Sequence, residues 1–171
     1  MTELRHTRLQ ELLQYSTDTG LFQWKTDRHT GRGRGRKIAA AGDLAGSKTW
    51  NGYWCIRLDG RCYMAHRLAW FYVNGEWPST SIDHVDMDRT NNRLVNLRLA
   101  SNGENLRNRS LQRNNTSGHK GVTFDVGRGK WLAQISIDRR HIQLGRFDSI
   151  DGAVCAYRSA AVKYHGEFAR L

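Results

Sequence analysis

Ile82-Asp83-His84, Asp88-Arg89-Thr90-Asn91-Asn92-Arg93-Leu94, Asn96-Leu97 and Glu104-Asn105 form the stretch whose reading decides the fold. It gathers a histidine, an adjacent acid and an ordered series of asparagines. Hydrolysing a phosphodiester needs an activated water, a cation to stabilise charge on the phosphoryl and leaving oxygens, and a proton for the leaving group. His84 suits the general base, because imidazole titrates near pH ~6.5. Asp83 can ligate a metal if a twist or bulge turns it to the side of His84, since strict strand alternation would place the two on opposite faces. Asn105 offers a neutral oxygen as a second ligand, and such a hard oxygen site suits magnesium, with manganese as a substitute. Asn96 reads as a brace that bonds the loop carrying His84 and orients its imidazole. Arg93 and Arg98 are expected to contact phosphate, and Asn91 and Asn92 to shape the turn.

Outward from this stretch, composition supplies the partner. The 171 residues carry 27 Lys and Arg against 16 Asp and Glu, a formal net charge of +11. That excess draws the chain to nucleic acid or to an anionic membrane. No segment approaches the roughly 20 apolar residues of a spanning helix, and the start Met1-Thr2-Glu3-Leu4-Arg5-His6 lacks the apolar core of a secretory signal. Nucleic acid is the better partner, and the cytoplasm is the expected location. Cys55, Cys62 and Cys155 form no CxxC pair. Reduced thiols are preferred over a bridge between Cys55 and Cys62, and structural zinc is not supported.

Leu9, Leu12 and Leu13 fall at helical spacing, and Leu21 to Trp24 reads as a strand. The alternation Gly31-Arg32-Gly33-Arg34-Gly35-Arg36-Lys37 is a basic loop expected to order against phosphates. Tyr53 to Leu58 and Arg61 to Met64, joined by Asp59-Gly60, predict a hairpin. A helix from Ala65 to Asn74 should follow and stop at Gly75. Strands at Ser81 and at Leu97-Arg98-Leu99 come next. Ser101-Asn102-Gly103-Glu104 is a capping-box pattern that opens a helix bearing Asn105 and running to about Arg109.

Ala65-His66-Arg67-Leu68-Ala69, Ile82-Asp83-His84, Asn91-Asn92-Arg93-Leu94, Asn96-Leu97-Arg98 and Glu104-Asn105-Leu106-Arg107-Asn108 together resemble the HNH homing-type endonucleases of the ββα-metal, or His-Me finger, class. The resemblance covers roughly Leu9 to Asn108. It implies Asp83 and Asn105 on one divalent metal, His84 as general base and Asn96 bracing the loop. His66 and Arg67 belong to the same pattern: Arg67 is expected at a phosphate, and His66 either there or packed at the helix start.

The polar run 112–118 reads as a linker between domains 1–111 and 119–171. Beyond it, Gly121 to Phe124, Trp131 to Ile137 and His141 to Phe147 predict three strands. Ala153, Val154, Tyr157, Ala161 and Tyr164 predict a covering helix. Gly129-Lys130-Trp131-Leu132-Ala133-Gln134-Ile135, Leu144-Gly145-Arg146-Phe147-Asp148 and Ala160-Ala161-Val162-Lys163-Tyr164-His165-Gly166 resemble the AP2 DNA-binding domain. That family lays a three-stranded sheet, backed by one helix, into the major groove. Parity puts Leu132, Gln134 and Ser136 opposite the core face. Lys120, Arg128, Lys130, Arg139 and Arg140 are expected at phosphates or bases. Thr123 stands where arginine is usual in plant members, so no target sequence transfers.

The expected fold class is therefore α+β: a ββα-metal nuclease module followed by an AP2-like sheet and helix. The expected function is metal-dependent nicking or cleavage of double-stranded DNA, by a monomer or a DNA-dependent dimer. The rival class is a non-cleaving, sequence-specific DNA-binding regulator.

Overall fold

The computed structural model describes residues 4–30, 35–107, 111, 114–137 and 140–169. Arg32, Arg34 and Arg139, and residues 112 and 113 of the expected linker, lie outside them. Contacts divide the chain into two compact units, Met1–Ala100 and Ser101–Leu171.

In the first unit, helix α1 (His6–Leu12) buries Leu9 and Leu12 and passes directly into strand β1 (Leu13–Tyr15). Strand β1 pairs antiparallel with β2 (Phe22–Trp24), with Leu13 opposite Trp24 and Tyr15 opposite Phe22. The buried-exposed-buried pattern of both strands sends these four side chains into one core. The short pair β3 (Arg28–His29) and β4 (Lys37–Ala39) flanks the Gly-Arg segment. Strands β5 (Ser47–Lys48), β6 (Trp54–Leu58) and β7 (Arg61–Met64) form a three-stranded sheet, and Asp59-Gly60 makes the predicted β6–β7 turn. Helix α2 (Ala65–Asn74) starts and stops where its sequence predicts. It buries Ala65, His66, Leu68, Ala69 and Phe71, and the Gly75 N–H closes it on the Phe71 carbonyl. The preference for reduced thiols is corrected here, because the structure joins Cys55 to Cys62 across the β6–β7 hairpin, their Cα atoms 6.1 Å apart.

Strand β8 (Ser81–His84) pairs with β9 (Leu97–Ala100), and the intervening loop ends in a 3-10 turn at Leu94–Asn96. The loop is buttressed from the N-terminal hairpin. The Tyr15 hydroxyl donates to the Asn92 carbonyl over 2.6 Å in a buried bond, and burial pushes the phenol up to about 12. Gly20 sits at φ +73, and a Cβ there would collide with the backbone of Asn92 and Arg93. No other residue type tolerates both the left-handed backbone and that approach.

The second unit opens with α3 (Asn102–Arg107), capped as predicted. Glu104 accepts from the Ser101 N–H at 2.7 Å, and Ser101 Oγ accepts from the Glu104 N–H at 3.3 Å. Its contacts with a 3-10 turn at Gly166–Phe168 group it with this unit, so the division falls earlier than the expected linker. Strands β10 (Val122–Asp125), β11 (Lys130–Ile137) and β12 (Arg140–Phe147) form an antiparallel sheet in that order. A register shift falls at Ala133/Gln134. Helix α4 (Ile150–His165), capped by Ser149 on the Gly152 N–H, lays Ala153, Tyr157, Ala160 and Ala161 onto Val122, Ala133 and Ile135. Three alanines let helix and sheet approach closely. Tyr164, expected on this face, is 44% exposed, and Ala160 is buried instead. Trp131 packs against the core as expected.

Removing the Tyr15 hydroxyl leaves the Asn92 carbonyl buried and unpaired, so Tyr15→Phe should cost about 1–2 kcal/mol in urea unfolding. Gly20→Ala should cost at least about 2 kcal/mol, since it meets both a backbone penalty and a collision. Equal stability of Gly20→Ala and the parent chain would remove the N-terminal hairpin as a support of the loop.

Candidate active site

The β8–β9 register runs Ser81 to Ala100, Ile82 to Leu99, Asp83 to Arg98 and His84 to Leu97, with no shift. The bulge that would turn Asp83 and His84 the same way is therefore missing, and neighbouring side chains on a regular strand point to opposite faces. Asp83 Oδ2 accepts from Arg98 Nε at 3.0 Å and Nη2 at 2.8 Å, in an ion pair whose side chains are only 12% and 15% exposed. Arg98, grouped by sequence with the phosphate contacts, thus shares its charge with Asp83.

His84 ends the strand and is 5% exposed. Its Nε2 lies 3.3 Å from Asn92 Oδ1, an acceptor that favours the tautomer with its proton on Nε2. Burial pushes the imidazole below its ordinary range, against the opposing pull of the Asn92 bond and of the charges of Asp86, Asp83 and Asp88. The ring is neutral at pH 7, as a general base must be. His66, on the first turn of α2, is 8% exposed, and its ring meets His84 edge to face at 5.1 Å. Burial, helped by the charges of His84 and Arg67, drives His66 down to about 3, and its Nδ1 has no hydrogen-bond partner among the described residues.

The loop after His84 is organised by two amides with separate duties. Asn96, 6% exposed, accepts from the Asp86 N–H at 3.0 Å. It donates to Asp86 Oδ1 at 2.9 Å and to the Asn91 carbonyl at 2.8 Å. Asn91 Nδ2 completes the knot on Asp86 Oδ2 at 2.6 Å. Although burial works to raise it, these amides and the Asp88 N–H hold the Asp86 carboxyl below its usual range. Asn96 therefore fixes the loop, while Asn92, 2% exposed, touches the imidazole. The sequence reading gave both tasks to Asn96.

Sequence reasoning missed three further residues: Tyr53 and Asp86 near His84, and Arg89 on Tyr53. The Tyr53 ring lies 5.3 Å from His66 and 6.0 Å from His84. The Arg89 guanidinium sits 4.9 Å over the Tyr53 ring and donates to the Asn51 carbonyl at 2.7 Å. Asp86 is the third. A basic residue two positions before Asn91, inside the quoted motif, was the signal available for Arg89. Nothing local marks Tyr53, which arrives from another sheet. Arg67 is half-buried on α2, and Arg93 and Arg36 are exposed.

Among the described residues no group of three or more His, Cys, Asp and Glu converges as metal ligands. A cation would need mixed oxygen donors. In α3, Asn105 Oδ1 is buried with no hydrogen-bond partner among the described residues, a neutral donor of the kind a hard cation accepts.

On the sheet of the second unit, Leu132 pairs with Arg146, Gln134 with Gln143 and Ser136 with His141, all on the side away from α4. Ser136 Oγ and His141 Nδ1 are 2.9 Å apart. Arg128 and Arg146 both meet Asp125, at 3.2 and 3.4 Å, and Lys130 meets Asp148 at 3.0 Å. Arg140 is exposed and Lys120 half-buried.

Comparison with known proteins agrees with the β8–β9 geometry. The family described as HNH endonuclease matches residues 63–107, which run from β7 through α3. The chain is also similar to Protein 3.8 of Escherichia phage T7, with 33% identity over 107 residues, 62% of this chain and 88% of that protein. Residues 63–107 thus carry an HNH endonuclease domain, and the chain belongs to the same family as Protein 3.8. The family match ends before β10, and no helix among the described residues is long and apolar enough to cross a membrane.

Both buried histidines favour their neutral forms, which fixes the sign of the acid response. Their folded values lie below the unfolded one, so their contribution is full above pH ~6.5 and is lost as pH falls through the folded values. Each can remove up to about 1.4 kcal/mol per pH unit within that window. Urea unfolding between pH ~6.5 and ~5 should show falling stability, and His66→Leu should make that slope shallower. An unchanged slope in His66→Leu would show that His66 does not titrate as a buried neutral group.

Proposed function

We propose that this chain is a metal-dependent endonuclease that nicks or cleaves double-stranded DNA, with His84 as its general base. The observation that carries the reading is the His84 environment: a buried imidazole, neutral at pH 7, held at Nε2 by Asn92. It lies within the family-matched segment. A water attacks the phosphorus while the His84 imidazole takes its proton. The phosphorus–oxygen bond to the leaving group breaks, and solvent water returns a proton to that oxygen. Asn96 and Asn92 keep the loop and the ring in place through the step.

Asp83 and Asn105 are the residues proposed to hold one magnesium ion. The buried Asn105 oxygen, without a hydrogen-bond partner among the described residues, supports this, and the remaining positions fall to water and phosphate. When bound, the ion neutralises charge building on the phosphoryl and leaving oxygens. Arg67, Arg93 and the Gly-Arg segment, with Arg32, Arg34 and Arg36, are proposed phosphate contacts. So are Lys120, Arg128, Lys130, Arg139 and Arg140 in the second unit. The three-stranded sheet and its helix fit the AP2 resemblance, and the row of Gln134, Gln143, Ser136 and His141 offers side-chain donors and acceptors suited to base edges. We assign the second unit to DNA binding on that ground.

One observation favours the rival, a non-cleaving DNA-binding regulator: the Asp83 carboxylate is already satisfied by Arg98. Conversion of supercoiled plasmid or candidate-target DNA to open-circular and linear forms separates the two. Magnesium-dependent nicking, abolished by chelator and reduced about 10²- to 10⁴-fold in His84→Ala, is the expected outcome. A confirmed cognate duplex that is bound but never cut, across several divalent metals, would transfer the reading to the regulator.

A further inference from the structure

Thr49, Trp50, Asn51 and Gly52 make the turn between β5 and β6, and the turn is built rigidly. The Thr49 N–H donates to the Tyr53 carbonyl at 2.7 Å and the Gly52 N–H to the Thr49 carbonyl at 3.0 Å. Thr49 Oγ1 contacts both Asn51 Oδ1 and the Tyr53 carbonyl. Gly52 takes φ +87, a conformation that only glycine adopts freely. At the tip of this ordered turn, Trp50 is 98% exposed. The largest side chain in the alphabet therefore packs on nothing in its own fold, so it has no structural task.

Its surroundings are those of the candidate active site. Asn51, the next residue, accepts from Arg89, and Tyr53 touches Arg89, His66 and His84. On the other side, Lys48 lies near enough to Asp88 for its charge to lower that carboxyl, after the hydrogen bonds from Thr90. Lys48 and Arg89 are both exposed, so the turn that carries the indole has a cation in its own strand and another bonded to its backbone at Asn51. A second copy of the chain docking here would set like charges against each other. A polyanion with flat aromatic bases matches both features.

We propose that Trp50 is a base-stacking wedge that engages a nucleobase of the bound DNA beside the phosphate presented to His84, with Arg89 and Lys48 on the flanking backbone. An indole offers a face to any base, so the contact holds the strand without reading its sequence. The assignment rests on the DNA-binding part of the proposed function and not on cleavage.

The test uses the full chain, a fluorescein-labelled duplex of random sequence, chelator throughout and a series of salt concentrations. Stacking is worth about 1–3 kcal/mol per base, so Trp50→Ala should weaken binding about 5- to 150-fold with the salt slope unchanged. Trp50→Phe should keep most of the affinity but lose the part of the DNA-induced fluorescence quenching that Trp50 contributes among the six tryptophans. Arg89→Ala should instead reduce the salt slope by about one phosphate contact. Wild-type affinity and quenching in the Trp50 variants would overturn the proposal, as would Trp50-dependent self-association without DNA by sedimentation. Failure of the wild type to bind any duplex would overturn the DNA reading with it. Tight, Trp50-dependent binding without cleavage in magnesium would leave the wedge standing and remove only the nuclease reading.

Discussion

The geometry around His84 depends on one side chain, that of Asn96. A loop between paired strands exposes backbone groups that must find partners, and a histidine at the strand end takes its direction from that loop. Asn96 meets the requirement with its whole amide: one acceptor and both donors are used, on Asp86 and Asn91. Asp86 is drawn inward by the same bonds, so a carboxylate becomes part of the scaffold. A buried polar network of this kind confers order only when every member is satisfied, and here the loss of one amide would leave several groups stranded at once. Tyr15 and Gly20 close the remaining side, which ties the first hairpin of the chain to a site some 70 positions later.

Placing two histidines side by side in a strongly basic chain has a direct electrostatic consequence. Burial opposes protonation of each ring, and for His66 the neighbouring His84 adds to it. The pair is thus kept neutral chiefly by its burial. His66 then acts as a wall for His84: its ring restricts the imidazole edge to face, and the Tyr53 ring limits it from another direction. Aromatic walls on two sides and the Asn92 bond at Nε2 together hold the plane of the imidazole.

Much of this was legible in the sequence, and the reasons differ by element. The β6–β7 hairpin, helix α2 and the α3 capping box carry local signals: a turn dipeptide, a stripe ending at glycine, and a Ser-x-x-Glu frame. The strands of the second unit were legible through alternation at Trp131, Ala133, Ile135 and Ile137. What was not legible is contact at a distance. Asn92 and Asn96 are the same residue type within one loop, and only the folded path decides which meets the imidazole and which the backbone. The Asp83–Arg98 pair likewise depends on register, which a sequence does not display. Tyr164 and Ala160 are three-four neighbours on α4, and an alanine is buried because the sheet lies too close for the larger ring.

The regular register of β8 also sets a limit on how metal and base can cooperate. Asp83 and His84 leave the strand in opposite directions, so a carboxylate and an imidazole from adjacent positions serve separate environments. One is an ion pair with Arg98 and the other a pocket of rings. A cation held through Asp83 would have to compete with a guanidinium that already makes two good bonds to Oδ2, and a partly buried pair gives up such bonds at a cost of several kcal/mol.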